Sequence, residues 1–315
     1  MVNQKHVRAS SSQNVNRCEI AFAPLLCGRF NFFKNLFENI FCEKGKRKRF
    51  FKTKYNKLKN SKMAKPTYQE LMDAGVHFGH MKRKWNPKMQ PNIFMERKGI
   101  HIIDLNRTDA ELDRAAKALK QIAASGKKIL FVATKKQARD IVSKAALSVG
   151  MPYVVDRWLG GMMTNFSTIR KSVKKMQTID TMLADTSLTS VTKKEKLTLS
   201  RERNKLERVL GGIANLNRLP GAIFIVDIGH EHIALAEATK LGMRTFGMVD
   251  TNSDPNIVDY AIPANDDASK SISIVINYIV EEIQAGLREG AKAKQDNKAA
   301  ASKAAATKAA TPKQA

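Results

Sequence analysis

Two closely spaced pairs of histidines are the residues of this sequence that could carry out metal or acid–base chemistry. They are His77 and His80, and His230 and His232. A neutral imidazole is a common metal ligand, and Asp227, Asp250 or Asp254 could complete such a site if the fold brought them near. Short pairs of this kind commonly serve packing and hydrogen bonding instead. The sequence therefore favours structural histidines over a catalytic metal, with a bound structural ion ranked between them, and predicts no cofactor.

A cluster of cations around a tryptophan is suited to binding a phosphate backbone. Residues 82–88 hold four lysines and arginines within seven positions, so phosphate neutralisation and stacking on an indole could act together. The alternative is a solvated loop whose tryptophan packs on the core, although Asn86 and Pro87 disfavour a helix that merely disperses the charges. The predicted RNA-binding residues here are Lys82, Arg83, Lys84, Trp85 and Lys88.

Further cations of the same sign lie in two later segments. Residues 164–210 contain 11 lysines and arginines against 5 acidic residues, an excess of +6. A charged helical face is usually only solvated, but agreement with the first cluster favours RNA. The additional predicted RNA-binding residues are Lys135, Lys136 and Arg139 beside a predicted helix start, Arg157 and Asn165, and the pairs Arg170, Lys171, Lys174 and Lys175.

An enzyme acting on a nucleotide or phosphorylated substrate is the main alternative, because α/β domains often carry such sites. The first clear strand is followed by residues 133–137, Ala-Thr-Lys-Lys-Gln, rather than by a glycine-rich phosphate loop. A helix N-terminus there could still hold an anion, with a histidine pair for acid–base work. The glycine-free turn is evidence against a dinucleotide. A free nucleic-acid-binding regulator is a third possibility.

The elements that must position these residues alternate in the pattern of an α/β domain. Three capping boxes predict helices that begin after Thr67, Thr108 and Thr134, and a last helix follows residues 265–267. Five β-rich runs predict the strands of a parallel sheet, at 128–133, 152–155, 222–227, 245–249 and 259–262.

A helical hairpin interrupts this alternation at about residues 162–213. Each arm carries one apolar stripe at three- and four-residue spacing, the turn lies at 187–192, and a glycine pair marks each root. A stripe this narrow predicts an inserted antiparallel coiled coil that projects from the sheet domain. Its outer faces would be free for partners.

The distribution of charge separates the ends of the chain from its middle. The 315 residues include 55 lysines and arginines against 29 acidic residues, and this net charge of +26 favours a polyanionic partner. The excess is +12 in residues 1–62, +9 in 63–290 and +5 in 291–315. No apolar run approaches the ~18 residues that span a bilayer, which excludes an integral membrane protein. We predict a folded domain at 63–290 and a mobile, partly helical Ala/Lys-rich tail at 291–315.

The first 62 residues show no sustained periodicity and do not resemble a domain. They hold 8 of the 14 phenylalanines and a run of basic residues at 44–49. Three explanations compete: an upstream stretch outside the natural start at Met63, an organelle transit sequence, or an extra RNA-binding arm. We favour the first, because a capping box at Thr67 opens a helix just after Met63. The extension is expected to be non-native or disordered.

Several sequence blocks, in order, resemble a known family. They are Ala74–His80 (AGVHFGH) with Lys84–Met89 (KWNPKM), Phe131–Ala138 (FVATKKQA), Arg157–Gly161 (RWLGG) with Thr164–Phe166 (TNF), and Val249–Pro255 (VDTNSDP). The match is to the bacterial-type small-subunit ribosomal protein number two, and it covers Met63 to about Gly290. The chain departs from the family at Met162-Met163 and in its first 62 residues.

The resemblance implies a flavodoxin-like parallel five-stranded sheet flanked by helices, with the coiled-coil hairpin inserted. It implies a structural role in the small ribosomal subunit, with small-subunit ribosomal RNA and neighbouring ribosomal proteins as partners. These partners include the large messenger-binding protein that the family helps to recruit. It implies no catalysis, no small-molecule substrate and a location in the bacterial cytoplasm, with an organellar ribosome less favoured.

Overall fold

The computed structural model describes residues 65–184 and 192–309. The predictions for residues 1–62 and for most of the hairpin turn lie outside the described residues. The helices are α1 (Tyr68–Asp73), α2 (Leu105–Ala124), α3 (Lys136–Val149), α4 (Phe166–Ala184), α5 (Lys193–Leu210), α6 (His232–Lys240) and α7 (Ser269–Ala309). The strands are β1 (Phe78–Met81), β2 (Ile93–Arg97), β3 (Ile100–Ile103), β4 (Ile129–Val132), β5 (Tyr153–Val154), β6 (Ala222–Val226), β7 (Arg244–Val249) and β8 (Tyr260–Pro263).

The main sheet has five parallel strands in the order β5-β4-β6-β7-β8. In sequence order this is 2-1-3-4-5, the flavodoxin-like arrangement. Every residue of β4 and β6 is buried, because helices cover both faces of the sheet. The predicted α/β fold with five parallel strands is confirmed.

A small antiparallel sheet, β1-β3-β2, precedes the main sheet and was not predicted. Its β2–β3 hairpin turns at Lys98 and Gly99, which both have positive φ angles of 54° and 75°. Two consecutive positive φ angles are typical of the tight turn whose twist matches a hairpin. The bulged and largely exposed strands lack the regular alternation by which a strand is recognised in sequence.

Two of the three predicted capping boxes are wrong, and tertiary hydrogen bonds explain both. Thr67 does cap α1, since its Oγ1 accepts from the Glu70 N–H at 3.3 Å. Thr108 instead lies inside α2, which begins after Asp104, and donates to the Pro263 carbonyl at 2.6 Å. The Thr134 hydroxyl donates to a carboxylate of Glu231, so α3 begins without a side-chain cap.

Helices α4 and α5 form the two arms of the predicted hairpin and contact each other. Lys175 pairs with Glu202 at 2.5 Å, and Arg203 pairs with Asp180 at 2.6 Å. The residues at both roots do not project from the domain but belong to the apolar core on one face of the sheet. These core residues are Met162, Met163, Val173, Leu210 and Ile213.

The opposite face of the sheet is covered by α2, α3 and α7. Leu112 and Leu119 of α2 pack with Ile276 and Ile283 of α7 in one buried cluster. The backbone of α7 continues as a helix beyond this core and into the Ala/Lys-rich segment. In the described part of the chain, no helix has the length and apolar character needed to cross a bilayer.

Candidate nucleic-acid interface

The first predicted RNA-binding cluster begins on a short turn of 3-10 helix, Lys82–Lys84, directly after β1, and ends on a second 3-10 helix, Pro87–Asn92. Two of its lysines are already paired: Lys82 contacts Glu96 at 2.7 Å and Lys88 contacts Asp254 at 2.6 Å. Arg83 and Lys84 are exposed and form no ion pair among the described residues. They are therefore the members of this cluster without an ion pair, although the charge of Lys84 also attracts the Asp267 carboxylate.

Trp85 is partly buried rather than displayed on the surface. Its ring centre lies 5.1 Å from that of His101, which is buried on β3. Tilted aromatic contacts of this kind stabilise a fold through packing. This geometry favours the packing role that the sequence left open, and stacking of Trp85 on a base stays a prediction.

The side-chain ammonium of Lys135 lies among three aspartates. Its ammonium lies 2.7 Å from Asp266, 2.6 Å from Asp267 and 3.3 Å from Asp227. Burial alone would lower the pKa of Lys135, but the hydrogen bonds and charges of these carboxylates outweigh it and raise the pKa above its ordinary value. One ammonium beside three carboxylates gives this spot no excess of positive charge, which disfavours Lys135 as a phosphate contact.

The neighbouring cations of α3 differ in their availability. The Arg139 guanidinium donates to Asp156 at 3.0 Å and to the Thr134 carbonyl at 3.0 Å. Lys136 is exposed and has no ion-pair partner within the described ranges. Only Lys136 of the three residues predicted here is therefore unengaged.

A histidine and two aspartates converge beside Lys135. His80 Nδ1 lies 2.9 Å from Asp250, and one ligand atom from each of His80, Asp250 and Asp266 falls within 4.8 Å of the others. Burial and the charges of Asp227 and Asp250 raise the pKa of Asp266 to about 7, and its Oδ2 has no hydrogen-bond partner among the described residues. One imidazole and two carboxylates could hold a divalent ion such as Zn²⁺, in competition with the Lys135 ammonium.

The other histidines are not part of this group. His77 packs its ring 4.1 Å from that of Phe78, and burial lowers its pKa. His230 and His232 lie at the start of α6, where the His230 N–H donates to Asp227 at 3.2 Å. Asp254, which the sequence analysis offered as a ligand, binds Lys88 instead.

The carboxyl ends of β4 and β6 are the place where a flavodoxin-like sheet usually binds a phosphorylated ligand. Here Glu231, which is only 4% exposed, accepts a hydrogen bond from Thr134. Asp227 follows β6 directly and is also buried. These carboxylates would repel a phosphate, so the geometry disfavours the nucleotide enzyme considered as the alternative.

The residues predicted at the hairpin root divide in the same way. The side-chain oxygen of Asn165 accepts a hydrogen bond from the Thr168 hydroxyl at 2.9 Å, and Arg170 donates to the Asn217 carbonyl at 2.6 Å. Lys175 is paired with Glu202. The predicted cations that are exposed and without an ion pair in the described segments are Arg83, Lys84, Lys136, Arg157, Lys171 and Lys174.

Two further features were missed by the sequence analysis. Glu237 of α6 is buried, and its carboxylate accepts five hydrogen bonds from residues 158–164. The three strands of the small antiparallel sheet expose large apolar side chains. These are Phe78, Met81, Phe94, Met95 and Ile100, called the apolar face below. A lone acidic residue in a helix and irregular short strands give no recognisable motif, so neither feature was predictable.

Comparison with known proteins identifies the family of this chain. A sequence profile of the family described as ribosomal protein S2 matches residues 71–286, which contain all five strands of the main sheet and both helices of the hairpin. The chain belongs to the ribosomal protein S2 family. The predicted resemblance is therefore confirmed, and membership makes the chain a structural protein rather than an enzyme.

Relatives in this S2 family are similar over most of their own length. A protein named small ribosomal subunit protein uS2 from Cytophaga hutchinsonii is 60% identical over 231 residues, covering 73% of this chain and 91% of the relative. The protein of the same name from Parabacteroides distasonis is 57% identical over 238 residues, covering 76% and 86%. The Bacteroides fragilis protein is 56% identical over 238 residues, again covering 76% and 86%.

Proposed function

We propose that this S2 family protein is a structural constituent of the small ribosomal subunit in the bacterial cytoplasm. It binds small-subunit ribosomal RNA and neighbouring ribosomal proteins, and it helps to recruit the large messenger-binding ribosomal protein. The observation that carries the proposal is the relationship to proteins named small ribosomal subunit protein uS2, which spans 86–91% of the relatives cited above.

The RNA-binding part of the proposal is supported by cations that the fold leaves unneutralised. Six predicted residues from three segments are exposed without ion pairs in the described structure: Arg83, Lys84, Lys136, Arg157, Lys171 and Lys174. Each lysine or arginine that meets a phosphate releases a counterion, so a few such contacts account for salt-sensitive binding. The paired residues Lys82, Lys88, Lys135, Arg139, Arg170 and Lys175 are expected to contribute less.

The protein-binding part of the proposal is supported by the apolar face. Phe94 is 68% exposed, Met81 57% and Phe78 50%. Exposed apolar side chains that lie close together mark protein–protein contact sites, and these five share one three-stranded sheet. We therefore assign recruitment of the large messenger-binding protein to this face, and RNA binding to the basic segments.

Sedimentation tests the proposal as a whole. The full chain, tagged and expressed in its host, is expected to co-migrate with small subunits at one copy each and to resist a moderate salt wash. An enzyme or free regulator would stay at the top of the gradient. Small subunits carrying the Phe94→Ser variant should retain the chain but hold less of the large messenger-binding protein, whereas Ile257→Ser, an exposed change outside the apolar face, should have no effect.

Matched charge variants test the placement of the RNA surface. Lys171→Ala/Lys174→Ala should reduce the salt slope of small-subunit RNA binding by about two, because two counterions are no longer released. Lys175→Ala, whose ammonium is paired with Glu202, is the control on the same helix and should change the slope by less than one. Equal effects per residue in the two variants would show that ion pairing does not select the RNA contacts.

A further inference from the structure

Glu237 occupies a site that resembles a bound anion. Its Oε1 accepts from Trp158 Nε1 at 3.1 Å and from the Gly161 N–H at 2.8 Å. Its Oε2 accepts from the Met163 N–H at 3.0 Å, the Thr164 N–H at 3.0 Å and the Thr164 hydroxyl at 3.1 Å. A carboxylate offers about four lone-pair positions, so this one is fully used.

The loop that surrounds the carboxylate is built to hold it. Gly161 has a φ of 84°, a conformation that favours glycine, and nearby backbone N–H groups converge on one point. Successive N–H groups that point inward form a concave nest for an anion. In this protein the anion belongs to the chain itself, so the nest is a clamp between residues 158–164 and α6.

The clamp joins the sheet domain to the start of the hairpin. On α6, the neighbours of Glu237 include Leu235 and Ala238, which are buried in the core on that face of the sheet. On the other side of the clamp, Phe166 begins α4 only two residues after Thr164. Glu237 therefore holds the segment from which α4 leaves the domain.

Predicted cations that form no ion pair among the described residues lie on both sides of the clamped segment. Arg157 immediately precedes the clamped segment, and Lys171 and Lys174 lie in the first turns of α4. Rotation of α4 about its root would move both lysines together relative to Lys136 on the sheet domain. Lys136, Lys171 and Lys174 can contact one RNA at fixed spacings only if this rotation of α4 is small.

We infer that Glu237 is a positioning residue for RNA binding, whose carboxylate fills an internal anion nest and fixes the direction of the hairpin. The expected effect of Glu237 on RNA affinity rests on the proposed function. Its effect on the direction of the hairpin can be measured without RNA, so the clamp and the proposed function can be tested separately.

The test measures the hairpin direction in the full chain. Spin labels are placed at Lys193→Cys on α5 and Lys144→Cys on α3, both exposed, after Cys18, Cys27 and Cys42 are replaced by Ser. The parental chain should give a narrow distance distribution. Glu237→Ala, which empties the nest, and Glu237→Gln, which turns an amide N–H towards the donors, should broaden it. Thr239→Ala, which removes a hydroxyl bonded only within α6, is the control.

A small carboxylate provides a readout that a merely structural role would not give. Formate should restore the narrow distribution of Glu237→Ala, because it can enter the emptied nest. It should not restore that of Glu237→Gln, whose side chain still fills the space. Pivalate at the same concentration is too bulky to enter and controls for ionic strength. Small-subunit RNA affinity should fall by about tenfold in Glu237→Ala, a usual size for coupling between sites, and recover with formate.

The outcomes distinguish the inference from the proposed function. A folded Glu237→Ala or Glu237→Gln variant with the parental distance distribution would overturn the clamp. So would a formate response that pivalate reproduces. If Glu237→Ala does not fold, the Glu237→Gln distribution alone decides. If the distances behave as expected but the parental chain binds no small-subunit RNA, the clamp stands and the proposed function fails.

Discussion

At the scale of single residues, the fold divides the predicted RNA-binding cations into those that form ion pairs and those that form none among the described residues. Lys135 and Lys136 are neighbours in the sequence, yet the first lies between three carboxylates and the second is exposed and forms no ion pair within the described part of the chain. Arg170 and Lys171 differ in the same way, because Arg170 is bonded to Asn217. Charge counted along the sequence therefore overstates the charge that the surface presents.

A glycine at the second root of the hairpin carries a steric requirement. A Cβ at Gly212 would lie 2.0 Å from the Tyr153 carbonyl oxygen, whereas at Gly211 the nearest atom would be Glu207 Cγ at 3.5 Å. We expect Gly212→Ala to lower the free energy of unfolding by about 1–3 kcal/mol through overpacking. Urea unfolding should show this loss for Gly212→Ala and little change for Gly211→Ala. Equal stabilities of Gly212→Ala and Gly211→Ala would mean that β5 and the second root of the hairpin can move apart without loss of stability.

The buried carboxylate of Glu237 should leave a signature in acid. Burial alone would raise its pKa, but hydrogen bonds from Thr164, Met163, Trp158 and Gly161 outweigh it and hold the pKa below the ordinary glutamate value. A lowered folded pKa stabilises the fold above the unfolded value, ~4.3, and this stability is lost as pH falls through the folded value. The parental chain should therefore lose more stability than Glu237→Gln below about pH 4.3.

Urea unfolding of both proteins between about pH 6 and pH 3 measures this difference. Asp140→Asn removes an exposed carboxylate with no ion pair in the described segments and should follow the parental curve. Parallel curves for the parental chain and Glu237→Gln would contradict the expectation. They would mean that the carboxylate has the same proton affinity in the folded and unfolded chains.

At the scale of elements, the hairpin is divided between arms that pack on each other and roots that pack on the sheet. Met176 and Ile179 are buried on α4 outside the two sheet-domain clusters, whereas Met162 and Ile213 are inside one of them. The apolar stripe seen in the sequence runs through both parts without a break. Its helical spacing indicated two packed arms but gave no sign of where the arms enter the core.

Two deletions test this division. Replacing residues 178–202 by a short Gly/Ser link keeps the root residues and should leave cooperative unfolding with little change in midpoint. Replacing residues 162–213 removes Met162, Met163, Val173, Leu210 and Ile213 from the core, and each such loss costs about 2–5 kcal/mol, more than a domain can spare. Circular dichroism with urea titration compares them. A folded second variant would show that the roots are not needed by the sheet domain.

At the scale of the whole molecule, the charge is concentrated outside the folded domain. Residues 1–62 carry +12 and residues 291–315 carry +5, against +9 for the 228 residues between them. Long-range attraction to RNA would come from the ends of the chain if they are present in the subunit. Directional contacts would come from the sheet domain and hairpin, where the exposed cations are held at fixed spacings by the fold.

Removal of residues 1–62 tests the predicted division of the chain. We expect the variant that begins at Met63 to unfold at the same midpoint and to enter small subunits as well as the full chain does, because helix α1 has its own cap at Thr67. Thermal unfolding and sedimentation measure these two quantities. Mass spectrometry of assembled subunits gives an independent check, and peptides spanning Lys44 to Lys62 would contradict the prediction of a start at Met63.

The sequence by itself determined the family, the five parallel strands and the presence of two hairpin helices. Continuous apolar runs such as Ile129–Val132 can be buried on both faces only in a covered parallel sheet, and helical spacing identified α4 and α5. These features depend on the spacing of apolar residues within one segment, which can be recognised without knowing which other segments pack against it. The capping box at Thr67 was predictable for the same reason, since all of its atoms lie within four residues.

Only the tertiary structure decided which polar groups are free. Thr108 and Thr134 have the sequence context of helix caps. Their hydroxyls instead donate hydrogen bonds to the Pro263 carbonyl and to the Glu231 carboxylate, which the fold brings close. Lys135 and Glu237 likewise bond to residues 73 to 132 positions away in the chain. A hydrogen bond or ion pair forms between the groups that the packed fold brings within about 3 Å, and one-dimensional spacing carries no record of such distant neighbours.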